Sequence, residues 1–523
     1  MVKPDVTVDH EVAIVGYGPV GQTLAALLGR AGHRVVVYDR HPEAFPLPRA
    51  VRFDHEAMRI FQGLKAIPLL EHEIATTRHY LWYGAQGQLI LDLDAGETSP
   101  SGWRPSYSFH QPALEAALDR TARAQPSVTV QRGWEVIDLG QTDEYAQLTL
   151  REHRASGPVI GGAIRTVRAR YVVGADGANS FVRRSLAIGQ DDFGFRESWL
   201  VIDVHPHDIA QFAHLPGAAQ YCNPRRPHVA VLGGPRHRRW EFMVLPGDDV
   251  EALRCDPARA WELLRPYMTP EHGTIIRQTI YEFRSLLSHT LRSGRFFLAG
   301  DAAKQMPPFM AEGMCSGLRD AANLAWRLDL ALRGMIADAA LDSYSSERQG
   351  QNRISVLVSL EMGKVSCTTD PRTAAERDAR LLSGQVPPPA PVPPLGTGIL
   401  HRPERDPIAG RVSVQGRIET RWGSGRTDDV VPPGFRIVCA QGDPVPILGP
   451  DRMAYLARLG ASVLTLDPAV PGSARDLDGE LTCWLRDRGI VAALCRPDFY
   501  AFGAATSLQD LPGLVDDLRA QLG

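Results

Sequence analysis

The chain has 523 residues, 44% of them hydrophobic and 22% charged, which is the composition of a globular protein with more than one core. A formal net charge of -3 excludes the large basic field that nucleic acid or an anionic membrane surface would require. The seven cysteines are scattered without a C-x-x-C pair, and no signal-peptide pattern or run of about 18 apolar residues is present. We therefore expect a cytoplasmic protein with no nucleic-acid partner, no membrane partner and no metal site.

The first segment alternates strand and helix. "EVAIVG" predicts a strand, "VGQTLAALLGRAG" a helix and "HRVVVYDR" a second strand, so the segment is a βαβ unit with a parallel sheet. The G-x-G-x-x-G pattern between the first strand and the helix suits a tight turn, a close approach to pyrophosphate and helix packing, and an acid about 20 residues on suits a ribose hydroxyl. The alternative is a glycine-rich turn without a ligand. The predicted dinucleotide contacts are Gly16, Gly18, Pro19, Gly21, Asp39 and Arg40.

Further strands and a proline-rich stretch divide the rest of the chain. β-like patterns occupy roughly 80–108 and 190–285 and predict a separate substrate sheet, and the chain is mainly helical from Phe297 to about Arg380. "SGQVPPPAPVPPLGTG" predicts an extended spacer. We therefore divide the chain into a core at 1–385, a linker at 386–400 and a small α/β domain at 401–523.

Two more apolar strands end in a carboxylate. "RYVVGADGANS" ends in Asp176 and Gly177, which alone could be a simple turn. "FFLAGDAA" ends in Gly300 and Asp301, where a carboxylate can bond a ribose or ribityl hydroxyl and the next helix can direct donors at phosphate or a flavin carbonyl.

The glycine pattern, "GADG" and "AGDAA", in this order, resemble the FAD-dependent single-component aromatic hydroxylases, the class that includes 4-hydroxybenzoate and phenol hydroxylases. The resemblance implies an α/β fold in which a Rossmann-like FAD-binding domain is interleaved with a β-sheet substrate domain. It also implies that Asp176 and Gly177 serve FAD and NAD(P)H, that Gly300 and Asp301 hold the ribityl chain, and that Gln111 in "SFHQPALEAAL" reaches FAD.

The resemblance makes the stretch from Phe297 to Leu328 a flavin clamp. Pro307 and Pro308 would stiffen the loop beside the flavin ring, and we count Pro308 as a catalytic candidate. Backbone groups of Gly313, Met314 and Cys315 would address the pyrimidine edge of the ring. Three positions depart from the family pattern, which commonly has histidine, glycine and glutamine there: Lys304, Ala311 and Glu312.

"PRAVRFDHEAMRIFQ" and the "SWLVIDV" region resemble the branch of 3-(3-hydroxyphenyl)propionate hydroxylase, whose C-terminal domain is thioredoxin-like without C-x-x-C. This implies an FAD enzyme that uses NADH or NADPH and O2 to hydroxylate a small phenolic substrate, such as a 3-hydroxyphenylpropionate-like acid, through a flavin C4a-hydroperoxide. The alternatives are a tailoring monooxygenase for polycyclic natural products and a non-catalytic flavin-binding protein. A homodimer stays open.

Candidate substrate residues lie in two places. Asp54 and His55 of "RFDHEA" match the family segment beside the ring, with Asp54 as the base for the phenol, and the alternative is an N-cap for the next helix. Arg49 is a candidate for FAD, or simply an exposed arginine. Tyr221 and Trp240 are candidates for the pocket floor, although aromatic residues on strands are often core.

Overall fold

The computed structural model describes residues 8–44, 47, 49–384 and 393–523. The elements of the first part are β1 (His10–Val15), α1 (Pro19–Arg30), β2 (Val35–Asp39), β3 (Arg52–Asp54), α2 (His55–Gly63), β4 (Ile74–Thr76), β5 (His79–Tyr83), β6 (Leu89–Asp94), β7 (Ser106–Phe109), α3 (Gln111–Arg123), β8 (Val128–Arg132), β9 (Trp134–Gln141), β10 (Ala146–Arg154), β11 (Gly157–Pro158), β12 (Ile164–Gly174) and α4 (Phe181–Ser185).

The middle part contains β13 (Gln190–Pro206), β14 (Ala218–Tyr221), β15 (His228–Leu232), β16 (Arg238–Met243), α5 (Val250–Cys255), α6 (Pro257–Leu264), β17 (Gly273–Ser288), β18 (Arg292–Ser293), β19 (Phe296–Leu298), β20 (Lys304–Gln305), α7 (Glu312–Leu332), α8 (Ser343–Ser366) and α9 (Pro371–Leu382). The last part contains β21 (Arg417–Thr420), β22 (Gly423–Arg426), α10 (Thr427–Val430), β23 (Arg436–Cys439), α11 (Pro444–Leu459), β24 (Ser462–Thr465), β25 (Arg475–Asp476), α12 (Glu480–Arg486), β26 (Ala492–Cys495), β27 (Ala501–Ala505) and α13 (Leu511–Leu522).

A nine-stranded sheet contains the predicted βαβ unit. β8, β2, β1, β12 and β19 are parallel neighbours in this sheet, and β10 pairs antiparallel with β12. Because parallel strands end at the same edge, the turns after β1, β2, β12 and β19 meet there. In open α/β sheets this edge is where ligands bind. The three glycine- and aspartate-containing motifs therefore lie side by side.

An eight-stranded sheet forms the second layer, in the order β20-β17-β13-β16-β15-β14-β5-β6. It contains strands from both segments that were predicted to form the substrate sheet, 80–108 and 190–285, except for one strand. β7, at the end of the segment 80–108, pairs with β3 and β4 in a small separate sheet. There Phe53 packs against Tyr107 and Phe109, with ring centroids 5.3 and 5.2 Å away, so burial of aromatic rings favours this pairing.

The C-terminal unit is built on a four-stranded sheet in the order β24-β23-β26-β27, in which β23 is parallel to β24 and antiparallel to β26. The thioredoxin-like assignment stays a prediction. Residues 386–392 of the predicted linker lie outside the described residues, and the following Leu395, Ile399 and Leu400 are buried.

The C-terminal unit is joined to the core by a buried ionic network. Glu347 on α8 accepts hydrogen bonds from Arg496 at 2.8 and 2.9 Å, and Asp498 accepts from Asn323 and Trp326 of α7 at 3.0 and 3.1 Å. Since removing one partner of a buried ion pair is costly, this contact fixes the unit on the core.

The structure also bears on membrane-spanning helices, metal sites and the state of the cysteines. No helix among the described residues is long and apolar enough to cross a membrane. The same part of the chain holds no group of three or more histidine, cysteine or acidic residues arranged for a metal ion. All seven cysteines are free thiols.

Candidate functional site

The glycine turn after β1 has the geometry that its spacing predicts. Gly16 has a φ of +100°, and a Cβ there would overlap the backbone of Ala175. A Cβ on Gly21 would overlap the Gly16 carbonyl oxygen, so the first turn of α1 packs directly on the strand end. Gly18 is the N-cap of α1 and makes no side-chain cap, and a Cβ on it would meet only open space. The N-terminal N–H groups of α1 therefore face a cavity.

Asp39 closes this turn from the end of β2. Its Oδ2 accepts the Tyr17 N–H and its Oδ1 accepts the His41 N–H, each at 2.8 Å. These two bonds orient the carboxylate beside the glycine turn, and each oxygen keeps a second lone pair for a ligand hydroxyl. Arg40 is exposed and lines the same cavity.

The second motif presents an unsatisfied carboxylate oxygen. Asp176 Oδ2 accepts the Val182 N–H at 3.1 Å, whereas the buried Oδ1 accepts no hydrogen bond from the part of the chain that the structure describes. Burial raises the pKa of Asp176, although hydrogen bonds from Ser180 and nearby N–H groups oppose the rise. Buried polar atoms in folded proteins nearly always make a hydrogen bond, so this oxygen is suited to accept one from a ligand hydroxyl group. Arg183 donates to the carbonyls of Ala178 and Ala302 and so ties the second motif to the third.

The third motif is held by a buried ionic cluster. The Asp320 carboxylate accepts the Gly300 N–H at 2.9 Å and Arg348 Nε at 2.7 Å, and it pairs with Lys304. Gly300 has a φ of +65°, which allows Asp301 to turn towards the cavity. Asp301 is exposed to the cavity, and the surrounding protein raises its pKa by desolvation, with Lys304 opposing. Lys304, which also borders the cavity, is buried and paired with Asp320.

The loop before α7 is the predicted flavin clamp. Ala311, the N-cap of α7, has a φ of +56°, a left-handed conformation that favours glycine and makes the family's usual residue at this position understandable. The helix start carries no side-chain cap, and Gly313 and Met314 line the cavity beside Pro308. Cys315 does not line it, because its buried Sγ lies 3.9 Å from the Ala311 carbonyl.

Gln111 reaches the segment beside the cavity from the start of α3. Its Oε1 accepts the N–H groups of Arg49 and Ala50 at 2.8 and 2.5 Å, and its Nε2 donates to Glu115 at 2.6 Å. Both Gln111 and Arg49 line the cavity.

Asp54 and His55 occupy positions different from those expected for substrate contacts. Asp54 is the N-cap of α2, where its Oδ1 accepts the Ala57 N–H at 2.9 Å, and its Oδ2 pairs with Arg319. Burial opposes ionisation, but Arg319, His55 and the Ala57 N–H together outweigh it and lower the pKa of Asp54. His55 Nδ1 lies 2.9 Å from Ser101 Oγ. Neither residue lines the cavity, so this geometry supports the helix-cap interpretation of Asp54.

Tyr221 and Trp240 also lie away from the cavity, for a reason of strand geometry. Successive side chains on a strand point to opposite faces. On β16, Arg239 and Glu241 line the cavity, and Trp240 packs on the other face in a cluster that includes Tyr221. The sheet thus contributes different cavity residues from those expected. A sequence signal existed, since two charged residues alternate with aromatic ones in "RRWEFMV".

The glycine turn, the carboxylates at the three strand ends, Gln111 and the start of α7 border one cavity of about 750 Å³ between the two large sheets. The eight-stranded sheet and the adjoining segments contribute a mixed apolar and polar wall: Val51, Arg52, Tyr80, Val229, Val231, Arg239, Glu241, Tyr281, Phe283 and Phe309.

The donor set fits FAD. The open space at Gly18, the uncapped starts of α1 and α7 and the unpaired Asp176 oxygen provide sites for phosphate and hydroxyl groups at one edge of the sheet. Asp39 and Asp301 supply acceptors at two neighbouring strand ends. A dinucleotide with an extended sugar chain matches this set, because its hydroxyls and phosphates need acceptors and donors several residues apart.

Comparisons with known proteins agree with this fit. The family described as "FAD binding domain" matches residues 9–354, and the "HcaD C-terminal domain" matches residues 410–521. A "Probable NADH-specific resorcinol 4-hydroxylase" of Rhodococcus jostii (strain RHA1) is 36% identical, over 98% of this chain and 94% of the relative. A "3-(3-hydroxy-phenyl)propionate/3-hydroxycinnamic acid hydroxylase 2" of Burkholderia vietnamiensis (strain G4 / LMG 22486) is 31% identical, over 97% and 96%.

Solved structures show the same fold. The flavin-dependent monooxygenase PieE, in complex with FAD and substrate, superposes with a TM-score of 0.79 at 22% identity, over 99% of this chain and 100% of that one. Aklavinone-11 hydroxylase, in a ternary complex with FAD and aklavinone, gives a TM-score of 0.78 at 21% identity, over 98% and 100%. With its motifs, its cavity and these relatives, the chain belongs to the FAD-binding family of the FAD-dependent aromatic hydroxylases.

Proposed function

We propose that the protein hydroxylates a small phenol of the resorcinol type, with NADH as the electron donor. The observation that carries this is the wall of the cavity opposite the FAD motifs, where apolar and aromatic side chains surround a single buried carboxylate, Glu241. Such a wall suits a flat ring with a hydroxyl group. The name of the relative with 36% identity supports both a resorcinol-type substrate and NADH as the electron donor. The seven free thiols support a cytoplasmic location.

FAD would supply the redox chemistry, accepting a hydride from the nicotinamide and inserting one atom of O2 into the ring. The balance is one phenol, one NADH, one proton and one O2 in, and one hydroxylated product, one NAD⁺ and one water out. The chain itself binds the cofactor, orients the ring and keeps bulk water away from both. Its ionic clusters lie behind the strand ends, so they hold the backbone groups in position before any ligand arrives.

We propose cofactor roles for the predicted residues that border the cavity. The N–H groups at the start of α1 would hold phosphate, the carboxylates of Asp39, Asp176 and Asp301 would accept from sugar or ribityl hydroxyls, and the start of α7 would face the flavin ring. The full set comprises Gly16, Gly18, Pro19, Asp39, Arg40, Arg49, Gln111, Asp176, Gly177, Gly300, Asp301, Pro308, Gly313 and Met314, with Gly21 and Cys315 supporting from behind.

A second substrate class is favoured by one observation. The half-buried Arg52 guanidinium borders the cavity and donates to Ser106 Oγ at 2.6 and 3.2 Å, and no described carboxylate forms an ion pair with it. A free cation could bind the carboxylate of a 3-hydroxyphenylpropionate-like acid, as the name of the relative with 31% identity suggests.

Turnover of a substrate panel tests the proposal. The FAD-loaded protein is supplied with NADH or NADPH and with resorcinol, phenol or 3-(3-hydroxyphenyl)propionate, and products are identified by mass spectrometry. We expect resorcinol to give the highest kcat/KM with NADH. Preferred turnover of the propionate, lost in Arg52→Gln, would establish the second class instead. An absence of hydroxylated product from all three phenols would refute the function.

A further inference from the structure

We propose that Glu241 accepts the phenolic proton of the substrate, an inference that rests on the proposed hydroxylase function. No motif in the sequence marks this residue, and it replaces Asp54 as the base.

Strand alternation directs Glu241 into the cavity. On β16 it shares the cavity face with Arg239, two residues earlier. Its cross-strand neighbours are Val229 on β15 and Val201 on β13, so apolar side chains flank the carboxylate on both sides. Glu241 is 8% exposed and borders the cavity, so what a bound ring would meet at this wall is its carboxylate.

Among the described residues, the ion pair recorded for Glu241 is with Arg239, which Glu241 shares with Asp203. Arg239 binds Asp203 in a bidentate manner, with Nε and Nη2 at 2.7 and 3.0 Å from the two carboxylate oxygens. Its Nη1 donates to the Arg49 carbonyl at 2.5 Å and lies 3.6 Å from Glu241 Oε1. The positive charge of Arg239 is therefore shared, mainly with Asp203. Burial raises the pKa of Glu241, and the negative charge of Asp203 adds to the rise. The positive charges of Arg239 and Arg277 and a hydrogen bond from Arg239 only partly oppose it, which makes the carboxylate a stronger base at neutral pH.

The other carboxylates that border the cavity have different positions or partners. Asp39, Asp176 and Asp301 lie at the strand ends of the nine-stranded sheet, with the cofactor motifs. Glu135 pairs with Arg151 at 2.6 Å, and the exposed Glu282 pairs with Arg284 at 2.5 Å. Glu241 is thus the buried carboxylate on the wall where the ring would lie.

The proposed step is a simple proton transfer. The O–H bond of the phenol breaks, the proton moves to a Glu241 oxygen, and the electron pair stays on the phenolate oxygen. The extra charge on that oxygen raises electron density at the ring carbons ortho and para to it, which are the positions that an electrophilic oxygen attacks. The proton returns to solvent when the product leaves, so the step needs no additional reactant.

The test compares Glu241→Gln with wild type on two phenols of different acidity. With resorcinol, which is neutral at pH 7, the variant should lose roughly 100-fold or more in product formation and should release hydrogen peroxide instead. With a polyfluorinated phenol that is already ionised at that pH, the loss should be under about tenfold, because no base is needed. FAD content and the FAD dissociation constant, measured by flavin fluorescence, should match wild type.

A matched control is Glu197→Gln. Glu197 is half-buried on β13 of the same sheet, burial raises its pKa, and it does not border the cavity. This variant should keep the turnover and coupling of wild type. Wild-type turnover in Glu241→Gln, or an equal loss with both phenols, would overturn the proposal. A wild-type protein that hydroxylates neither phenol would instead refute the underlying function.

If Glu241→Gln does not fold, the pH dependence of turnover by the wild-type protein provides the test. Turnover of resorcinol should fall as the pH drops through the pKa of one carboxyl group, and turnover of the ionised fluorophenol should not fall at the same pH. The same fall with both phenols would contradict a base that acts on the substrate hydroxyl.

Discussion

Glu312→Gln should make the protein more stable at pH 8 and leave it nearly unchanged at pH 5. Glu312 begins α7 and shares one buried arginine, Arg319, with two other carboxylates: Arg319 lies 2.8 Å from Glu312 and 3.2 Å from Glu56, and it pairs with Asp54. Burial raises the pKa of Glu312 to about 7, and Asp54 adds to the rise while Arg319 opposes it. One cation cannot compensate three buried anions, so Glu312 is the group that takes up a proton.

The direction of this pH dependence of stability follows from the raised pKa of Glu312. The folded state binds the proton of Glu312 more tightly than the unfolded state, so its stabilising contribution is complete below about pH 4.5 and is lost as the pH rises through about 7. A shift of this size corresponds to roughly 3 kcal/mol of unfolding free energy. Glutamine imitates the protonated acid at every pH, so the variant should exceed wild type by up to about 3 kcal/mol at pH 8 and by less than about 1 kcal/mol at pH 5.

Urea unfolding of the flavin-free protein, followed by tryptophan fluorescence at several pH values, measures the difference. Glu361→Gln serves as control, because Glu361 is exposed on α8 and pairs with Lys364 at 2.8 Å. The control should stay within about 0.5 kcal/mol of wild type throughout. Parallel curves for wild type and Glu312→Gln would refute the reasoning about the shared arginine.

Three further predictions concern the cofactor site and the C-terminal unit. Asp301→Ala should weaken FAD binding roughly 10- to 100-fold, because a charge-assisted hydrogen bond is worth about 1.5–3 kcal/mol, and fluorescence titration with an unchanged dissociation constant would count against it. Gly21→Ala should yield protein without FAD, because any Cβ overlaps the Gly16 carbonyl oxygen, whereas a full flavin spectrum after purification would disprove the packing argument. Replacing Cys483 and Cys495 together by serine should keep turnover within about tenfold of wild type, since neither borders the cavity, and a larger loss in folded protein would implicate them.

The parts of the site that follow from backbone geometry were predictable from sequence. Gly16 and Gly21 are required by a turn that tolerates no Cβ, and Asp39 ends a strand at a spacing set by one helix and one strand. Such constraints are local, so a motif can express them. The same reasoning predicted the βαβ order and the parallel sheet.

The residues that the sequence did not identify depend on long-range packing. The sequence allows Asp54 to be either a base or a helix cap, and only the fold shows that its second oxygen pairs with Arg319, 265 residues away. Trp240 and Glu241 are neighbours on one strand, and which of them faces the cavity depends on the register with β15 and β13. A one-residue shift would exchange the two faces, and the aromatic residue that the sequence suggested faces away from the cavity.

The most direct test of the account is the fate of dioxygen during turnover. Wild-type protein loaded with FAD is supplied with NADH, resorcinol and isotopically labelled O2, and the product is analysed by mass spectrometry while NADH consumption is recorded. The account predicts one labelled oxygen atom in each product molecule and nearly one product per NADH. NADH oxidation that yields hydrogen peroxide alone, with resorcinol recovered unchanged, would contradict it.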